Sequence, residues 1–214
     1  MKQLVNLLFA TLMSAFVLPA VAFAAEPQVG KEFKMISPAL ASPKDKIEVV
    51  EFFSYGCNHC SDFHPIISQW AAKLPKDVSF RRIPVSFNRP EWARLSKTYY
   101  ALEATGDLAK LDAAVFIAIH EQRVPFKSDE AVIAWVGSKG ADAKKFGEAF
   151  SGFSMQAKAQ RADQDASAAR IGGVPSLAVD GRYLINNEAA SSYEDLLRIT
   201  DSVVAKVRQE RKGK

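Results

Sequence analysis

The sequence predicts an α/β fold divided by a helical insertion, and three observations carry that prediction. A strand that is apolar on both faces, Lys46 to Ser54, runs directly into a segment with helical spacing. An alanine-rich stretch with no strand signal then occupies about Pro90 to Arg170. A strand pair joined by Asp180-Gly181 and a last amphipathic helix close the chain. Strand-bearing ends around a helical middle imply one α/β unit interrupted by an inserted domain.

The first residues have the pattern of an export signal. Met1-Lys2-Gln3 is a short positive start, Leu4 to Val17 is mostly apolar but broken at Asn6, and Ala22-Phe23-Ala24 is a small-x-small cleavage site. Cleavage is expected after Ala24, with Ala25 as second choice. An uncleaved anchor would need an apolar run of about 18 residues. Removing the first 24 of 214 residues leaves 190, enough for one well-filled core or two small ones.

Lys31 to Ile36 reads as a short first strand and Ser37 to Asp45, with Pro38 and Pro43, as a loop. In the next strand Ile47, Val49, Glu51 and Phe53 share one face while Val50 and Phe52 point to the other. Such a strand is central, which makes Glu51 conspicuous. Phe63, Ile66, Ile67, Trp70 and Leu74 recur with helical spacing, so a helix opens near Cys57 and is expected to kink at Pro65. Val78 to Val85 is the following strand, with Val78, Phe80 and Ile83 alternating against Ser79, Arg81 and Arg82.

Five helices are predicted next. Pro90 to Ala104 begins on a proline suited to a first turn and is broken at Gly106. Asp107 to His120, Ser128 to Val136 with Ser128 as N-cap, Ala141 to Phe150 and Met155 to Arg170 follow. Ile171-Gly172-Gly173-Val174-Pro175 is a sharp loop, Ser176 to Val179 and Arg182 to Ile185 form the hairpin, and Tyr193 to Lys212 is the final helix. The expected organisation is a signal at 1–24, an N-terminal part at 25–88, a helical domain at 89–170 and a C-terminal part at 171–214.

Charge narrows the function classes. The chain has 28 Lys and Arg against 24 Asp and Glu, a net charge of +4. The denser patch at the tail, Lys206, Arg208, Arg211, Lys212 and Lys214, suits the negative end of a helix dipole. It has no aromatic or glycine-rich context, which argues against nucleic-acid binding.

The chemistry lies in Cys57-Asn58-His59-Cys60, which holds the only two cysteines. A stabilising disulfide is better placed between distant positions: closing a four-residue loop yields roughly 2 kcal/mol, against about 3 for 15 residues. A close thiol pair at a helix start, in an exported chain, points to dithiol–disulfide exchange. Unpaired N–H groups and the dipole at that helix end favour a Cys57 thiolate, and His59 adds hydrogen bonding or charge. A favoured thiolate makes the disulfide form oxidising. Cys60, one turn further in, is expected to be the more buried, resolving thiol. Asn58 is a residue type found at N-caps.

Glu51 is positioned to relay a proton to Cys60 from beneath the helix; the alternative is a glutamate on an edge, facing water. Cys57, Cys60 and His64 make a three-member metal-ligand set with no second cluster, so no metal is expected. His120 ends a helix and reads as a dipole partner. Val174-Pro175 is a candidate cis bond, and an ordinary trans turn fits the sequence equally well.

These motifs together (Glu51-Phe52-Phe53-Ser54, Cys57-x-His59-Cys60 and Gly173-Val174-Pro175, with Pro65 in the first helix) resemble the thioredoxin superfamily. With the helical insertion and the signal, the chain resembles specifically the DsbA-type periplasmic thiol:disulfide interchange proteins, from about Lys31 to Lys212. The resemblance implies a thioredoxin-like fold with a helical domain inserted between its halves. It implies a redox-active Cys57-Cys60 disulfide with no added cofactor, a depressed Cys57 pKa and an oxidising potential, as is general in that family. It also implies that Cys57 is the exposed attacking thiol, Cys60 buried, His59 a stabiliser of the thiolate and Glu51 part of the acidic site under Cys60. Pro175 is implied to be cis, and Val174 to offer backbone hydrogen bonds to an extended substrate. The implied partners are reduced, unfolded exported proteins and the membrane quinone reductase DsbB, with the protein itself a periplasmic monomer. Two positions depart from the family: Asn58 stands where proline is common, and His64 where some relatives carry an acid, leaving Glu51 with fewer partners. An isomerase or reductant of the same superfamily, or a metal-binding or holdase module, is the alternative.

Overall fold

Strand β2, Ile47–Phe53, is buried at all seven positions, and the sheet is built around it. The computed structural model of the chain describes residues 26–213; the export signal and its cleavage after Ala24 lie outside them. On one side β2 pairs in parallel with β3, Val78–Pro84, and on the other it pairs antiparallel with β4, Ser176–Val179. Next come β5, Tyr183–Ile185, and β1, Phe33–Met35, giving the order β1-β5-β4-β2-β3.

Helices cover both faces. The face bearing Ile47 and Val49 packs against Phe63 and Ile67 of α1, Asn58–Ala71, and against Leu196, Val203 and Val207 of α7, Tyr193–Lys212. The opposite face, with Val50, Phe52 and Ile83, packs against Ala162 and Ala166 of α6, Phe153–Ala168. Small alanines let that helix lie close to the sheet. Fully burying each of the larger side chains contributes about 2 kcal/mol.

The remaining helices, α2 (Pro90–Thr105), α3 (Leu108–His120), α4 (Asp129–Ser138) and α5 (Ala143–Ser151), share a core with the end of β2. Phe53, Tyr55, Cys57 and Cys60 belong to that core, so the cysteines lie where the inserted segment meets the sheet. Local rules place the helix ends. Pro90 occupies the first turn of α2 and Gly106 closes it at φ +85°, a left-handed conformation that suits glycine. The Ser128, Asp142 and Ser192 side chains each accept an N–H of the first turn, contacts worth about 1 kcal/mol apiece.

Three local expectations are corrected. Helix α1 stops at Ala71, so Leu74 packs from beyond it. The hairpin pairs Val179 with Tyr183, which leaves Arg182 outside β5. There its guanidinium bonds Asp180 and Glu210, and its carbonyl accepts from Ile36 N, so Arg182 is held by the chain ends on either side. Arg82 does not side with Ser79 and Arg81. Parallel register sets it opposite Glu51 on the covered face, and it is 8 % exposed. The tail cations anchor α7: Arg208 bonds Asp77, Arg211 bonds Asp180 and the carbonyls of Pro43 and Lys44, and Lys206 pairs with Glu210.

Candidate active site

The turn Ser54-Tyr55-Gly56 carries the chain from β2 into α1. The Ser54 hydroxyl accepts from Gly56 N, and the Ser54 carbonyl accepts from Cys57 N at 3.1 Å. Gly56 is required by crowding: a Cβ there would lie 2.6 Å from Trp92 Nε1. Cys57 is itself the N-cap of α1, and its sulfur accepts from Cys60 N at 3.4 Å. Asn58 is the first residue of the helix rather than its cap.

The two thiols, both free, are pushed apart in acidity. The Cys57 thiol is lowered to about 6, first by the hydrogen bond from the Cys60 side chain and then by the backbone N–H groups of Cys60 and His59, with the His59 charge contributing least. Burial opposes part of this. Cys60 is completely inaccessible, and burial, the neighbouring Cys57 sulfur and the charge of Glu51 hold its thiol far above the ordinary value. The pair is thus one acidic outer thiol and one protonated inner thiol.

Cys57 is less open than an exposed attacking thiol, at 9 % accessibility. Its sulfur donates to the Val174 carbonyl at 3.3 Å. Antiparallel pairing of β4 with β2 brings the Gly173-Val174-Pro175 loop against the helix start, and the Val174–Pro175 bond is cis. A second cis bond, Ser37–Pro38, had no recognised sequence signal. The Pro175 carbonyl accepts from Asn187 Nδ2 at 2.7 Å, and Ser176 Oγ donates to Gly173 O at 2.7 Å, so side chains on both flanks fix the loop. His59 is exposed, with Tyr193 Oη 3.4 Å from its Nδ1 and donating to its carbonyl at 3.2 Å. Two clefts meet at the loop. One of about 680 Å³ is lined by His59, Ile66, Pro175, Tyr193 and Leu196; one of about 490 Å³ by Met35, Arg170, Pro175, Leu184 and Asn187.

Glu51 is fully buried and not short of partners, because Arg82 donates to its Oε2 at 2.7 Å. Burial raises the Glu51 pKa, the Arg82 charge lowers it, and Asp112 raises it again. Arg82 also donates to Asp112 Oδ2 at 2.7 Å, and Tyr55 Oη donates to Asp112 Oδ1 at 2.5 Å. Sequence reasoning missed Arg82 and Asp112, though each carried a signal. A strict two-residue period puts Arg82 with Val78 and Phe80, and Asp112 lies four residues from both Leu108 and Phe116, on the apolar face of its helix.

His64 does not turn to the thiols. Its nitrogens lie 3.5 Å from Ser68 Oγ and 3.8 Å from Asp112 Oδ2, and burial lowers its pKa. His120 is more than a dipole partner: its Nε2 is 2.7 Å from the Tyr55 carbonyl, against which it holds the turn before Cys57.

Residues 48–198 match the DSBA-like thioredoxin domain. The chain is 35 % identical over 206 residues to the thiol:disulfide interchange protein DsbA of Bordetella parapertussis, covering 94 % of this chain and 98 % of that one. It is 34 % identical over 213 residues to the DsbA of Burkholderia cepacia, covering 99 % and 100 %. Among solved structures, Pseudomonas aeruginosa DsbA superposes with a TM-score of 0.81 at 34 % identity, covering 86 % of this chain and 95 % of that one. The oxidoreductase DsbA of Xylella fastidiosa gives 0.80 at 32 % identity, covering 86 % and 100 %.

Proposed function

The chain belongs to the DSBA-like thioredoxin domain family, and from that premise we propose how its residues divide the work of disulfide exchange. It is a thiol:disulfide oxidoreductase that acts as a disulfide oxidase. A substrate thiolate attacks Cys57 Sγ of the Cys57–Cys60 disulfide. The intramolecular S–S bond breaks, Cys60 leaves with the electron pair and takes a proton, and a mixed disulfide forms at Cys57. A second substrate thiolate then attacks the substrate sulfur, and Cys57 departs as thiolate. The substrate loses two electrons and the cysteine pair gains them, so no added cofactor is needed.

The observation that carries this assignment is the divergence of the two thiols within one helical turn, Cys57 lowered to about 6 and Cys60 driven up. A good leaving group at Cys57 makes release of the oxidised product fast. Glu51 supplies the proton to Cys60, His59 adds to the stability of the Cys57 thiolate, and Asn58 tunes that stability from the first helical position. Val174 and Pro175 bind the substrate backbone in extended form. The substrates are reduced, unfolded exported proteins; the compartment is the periplasm, supported by the N-terminal signal pattern; the protein acts as a monomer; and a membrane quinone reductase of the DsbB type restores the disulfide.

The test is oxidation of a reduced substrate protein. The oxidised chain is expected to accelerate disulfide formation, Cys57→Ser to abolish it, and equilibrium with glutathione to give an oxidising potential. Full activity in Cys57→Ser, or a strongly reducing potential, would overturn the assignment.

A further inference from the structure

We propose that Asp112, carried by the inserted helical segment, is a positioning residue for the thiol chemistry: it shares the Arg82 guanidinium with Glu51 and thereby leaves Glu51 able to carry a proton. This rests on the reading of Glu51 as the acid that serves Cys60.

One cation stands between two carboxylates from different parts of the chain. Arg82 Nε bonds Glu51 Oε2 and its Nη1 bonds Asp112 Oδ2, both at 2.7 Å. The guanidinium carbon lies 3.7 Å from the Phe53 ring centroid and 5.7 Å from that of Phe116, so aromatic rings flank the cation in a buried setting. Two full negative charges against one positive charge are costly in such surroundings, and a proton on one carboxylate relieves the excess.

The geometry selects which carboxylate holds it. Asp112 has both oxygens bonded, Oδ1 by Tyr55 and Oδ2 by Arg82, and its side chain is 18 % exposed. The Glu51 side chain is 0 % exposed, and its Oε1 has no hydrogen-bond partner among the described residues. Asp112 thus has a donor on each oxygen and partial access to water, whereas Glu51 has a donor on one oxygen only and no such access. The other titratable groups facing this box are Cys60, Tyr55, Tyr99 and His64. Burial keeps the first three protonated and disfavours the His64 cation, so all four are neutral near neutral pH. The balance is therefore struck among Glu51, Arg82 and Asp112. Without the Asp112 charge, Arg82 forms a one-to-one ion pair with Glu51, and the acid beneath Cys60 is pinned as carboxylate.

The test uses Asp112→Asn, which keeps an acceptor for Arg82 and removes the charge, with Asp112→Ser as a second variant if the first folds poorly. The rate of mixed-disulfide formation with a reduced peptide is measured against pH and corrected for ionisation of the peptide thiol. In the unaltered protein the rate declines as Glu51 loses its proton. In Asp112→Asn that midpoint moves to lower pH, and the rate at pH 7 falls on the order of tenfold, less than the roughly 10²–10⁴-fold that a general acid contributes in full. Asp112→Glu restores the midpoint toward its original position, and the Cys57 thiolate absorbance titration stays unchanged in Asp112→Asn. In Glu51→Gln the midpoint is absent and adding Asp112→Asn has no further effect. A midpoint unmoved by Asp112→Asn, with Glu51→Gln abolishing it, overturns the role of Asp112 alone. A midpoint that survives in Glu51→Gln overturns the reading of Glu51 and this proposal with it.

Discussion

The Cys57 sulfur donates to the Val174 carbonyl at 3.3 Å and accepts from Cys60 N at 3.4 Å, so two partners compete for opposite protonation states of one atom. The thiol is satisfied by the loop, 117 residues away in sequence. The thiolate has no proton to offer the carbonyl and is held by the helix amides instead. Ionisation of Cys57 therefore loosens its tie to the Gly173-Val174-Pro175 loop.

Cys57 is expected to titrate near pH 6, and this makes the stability of the reduced protein pH-dependent. The folded pKa lies below the unfolded value of 9.0, so the contribution is complete above about pH 9 and is lost as pH falls through 6. Three pKa units correspond to about 4 kcal/mol when complete. The raised Cys60 pKa subtracts stability only above the unfolded thiol value. Denaturant unfolding of the reduced and oxidised forms is expected to differ by about 1 to 2 kcal/mol more at pH 7 than at pH 5, in favour of the reduced form. A constant difference would count against the shifted thiol.

His59→Ala is expected to raise the Cys57 pKa and make the protein less oxidising, each pKa unit amounting to about 30 mV. Because the amides outrank the imidazole charge, the thiol should remain more acidic than an ordinary cysteine. Thiolate absorbance and glutathione equilibration measure both quantities. An unchanged potential would remove His59 from the mechanism.

Asn187→Ala removes the donor that fixes the Pro175 carbonyl. The expected result is a several-fold higher KM for a peptide dithiol, equivalent to about 1 kcal/mol of lost positioning, with the Cys57 titration unaltered. A change confined to kcat would argue against a role in holding the loop for binding.

Asp163 accepts from Ser86 N at 2.7 Å and from Ser86 Oγ at 2.5 Å, joining α6 to the segment after β3. Ser86 is 3 % exposed, so Asp163→Ala leaves two buried donors unsatisfied. A loss of roughly 2–4 kcal/mol in urea unfolding is expected. A loss below about 0.5 kcal/mol would mean that this bond does not secure the insertion.

Much of the fold was legible because its punctuation is local. Pro90, Gly106 and Ser128 each set a helix end by a rule that needs only neighbouring residues. The cysteine pair, Glu51 and the Val174-Pro175 loop stood out by the same kind of reasoning, and the sheet register brings them to one end of β2 and β4. What escaped depends on how the insertion lies over the sheet. Arg82 and Asp112 meet across 30 residues, and His120 reaches the Tyr55 carbonyl across 65. A charged residue on a strand looks solvated until the element that covers it is known.

The pairing of β4 with β2 also imposes an order of events on a chain made from its N-terminus. Cys57 and Cys60 are available long before Val174 and Pro175, because the whole helical segment lies between them. Until β4 enters the sheet next to β2, the Val174 carbonyl is not brought against the Cys57 sulfur. Contacts this distant in sequence form late. The loop contact at the Cys57 sulfur is therefore the last part of the site to close.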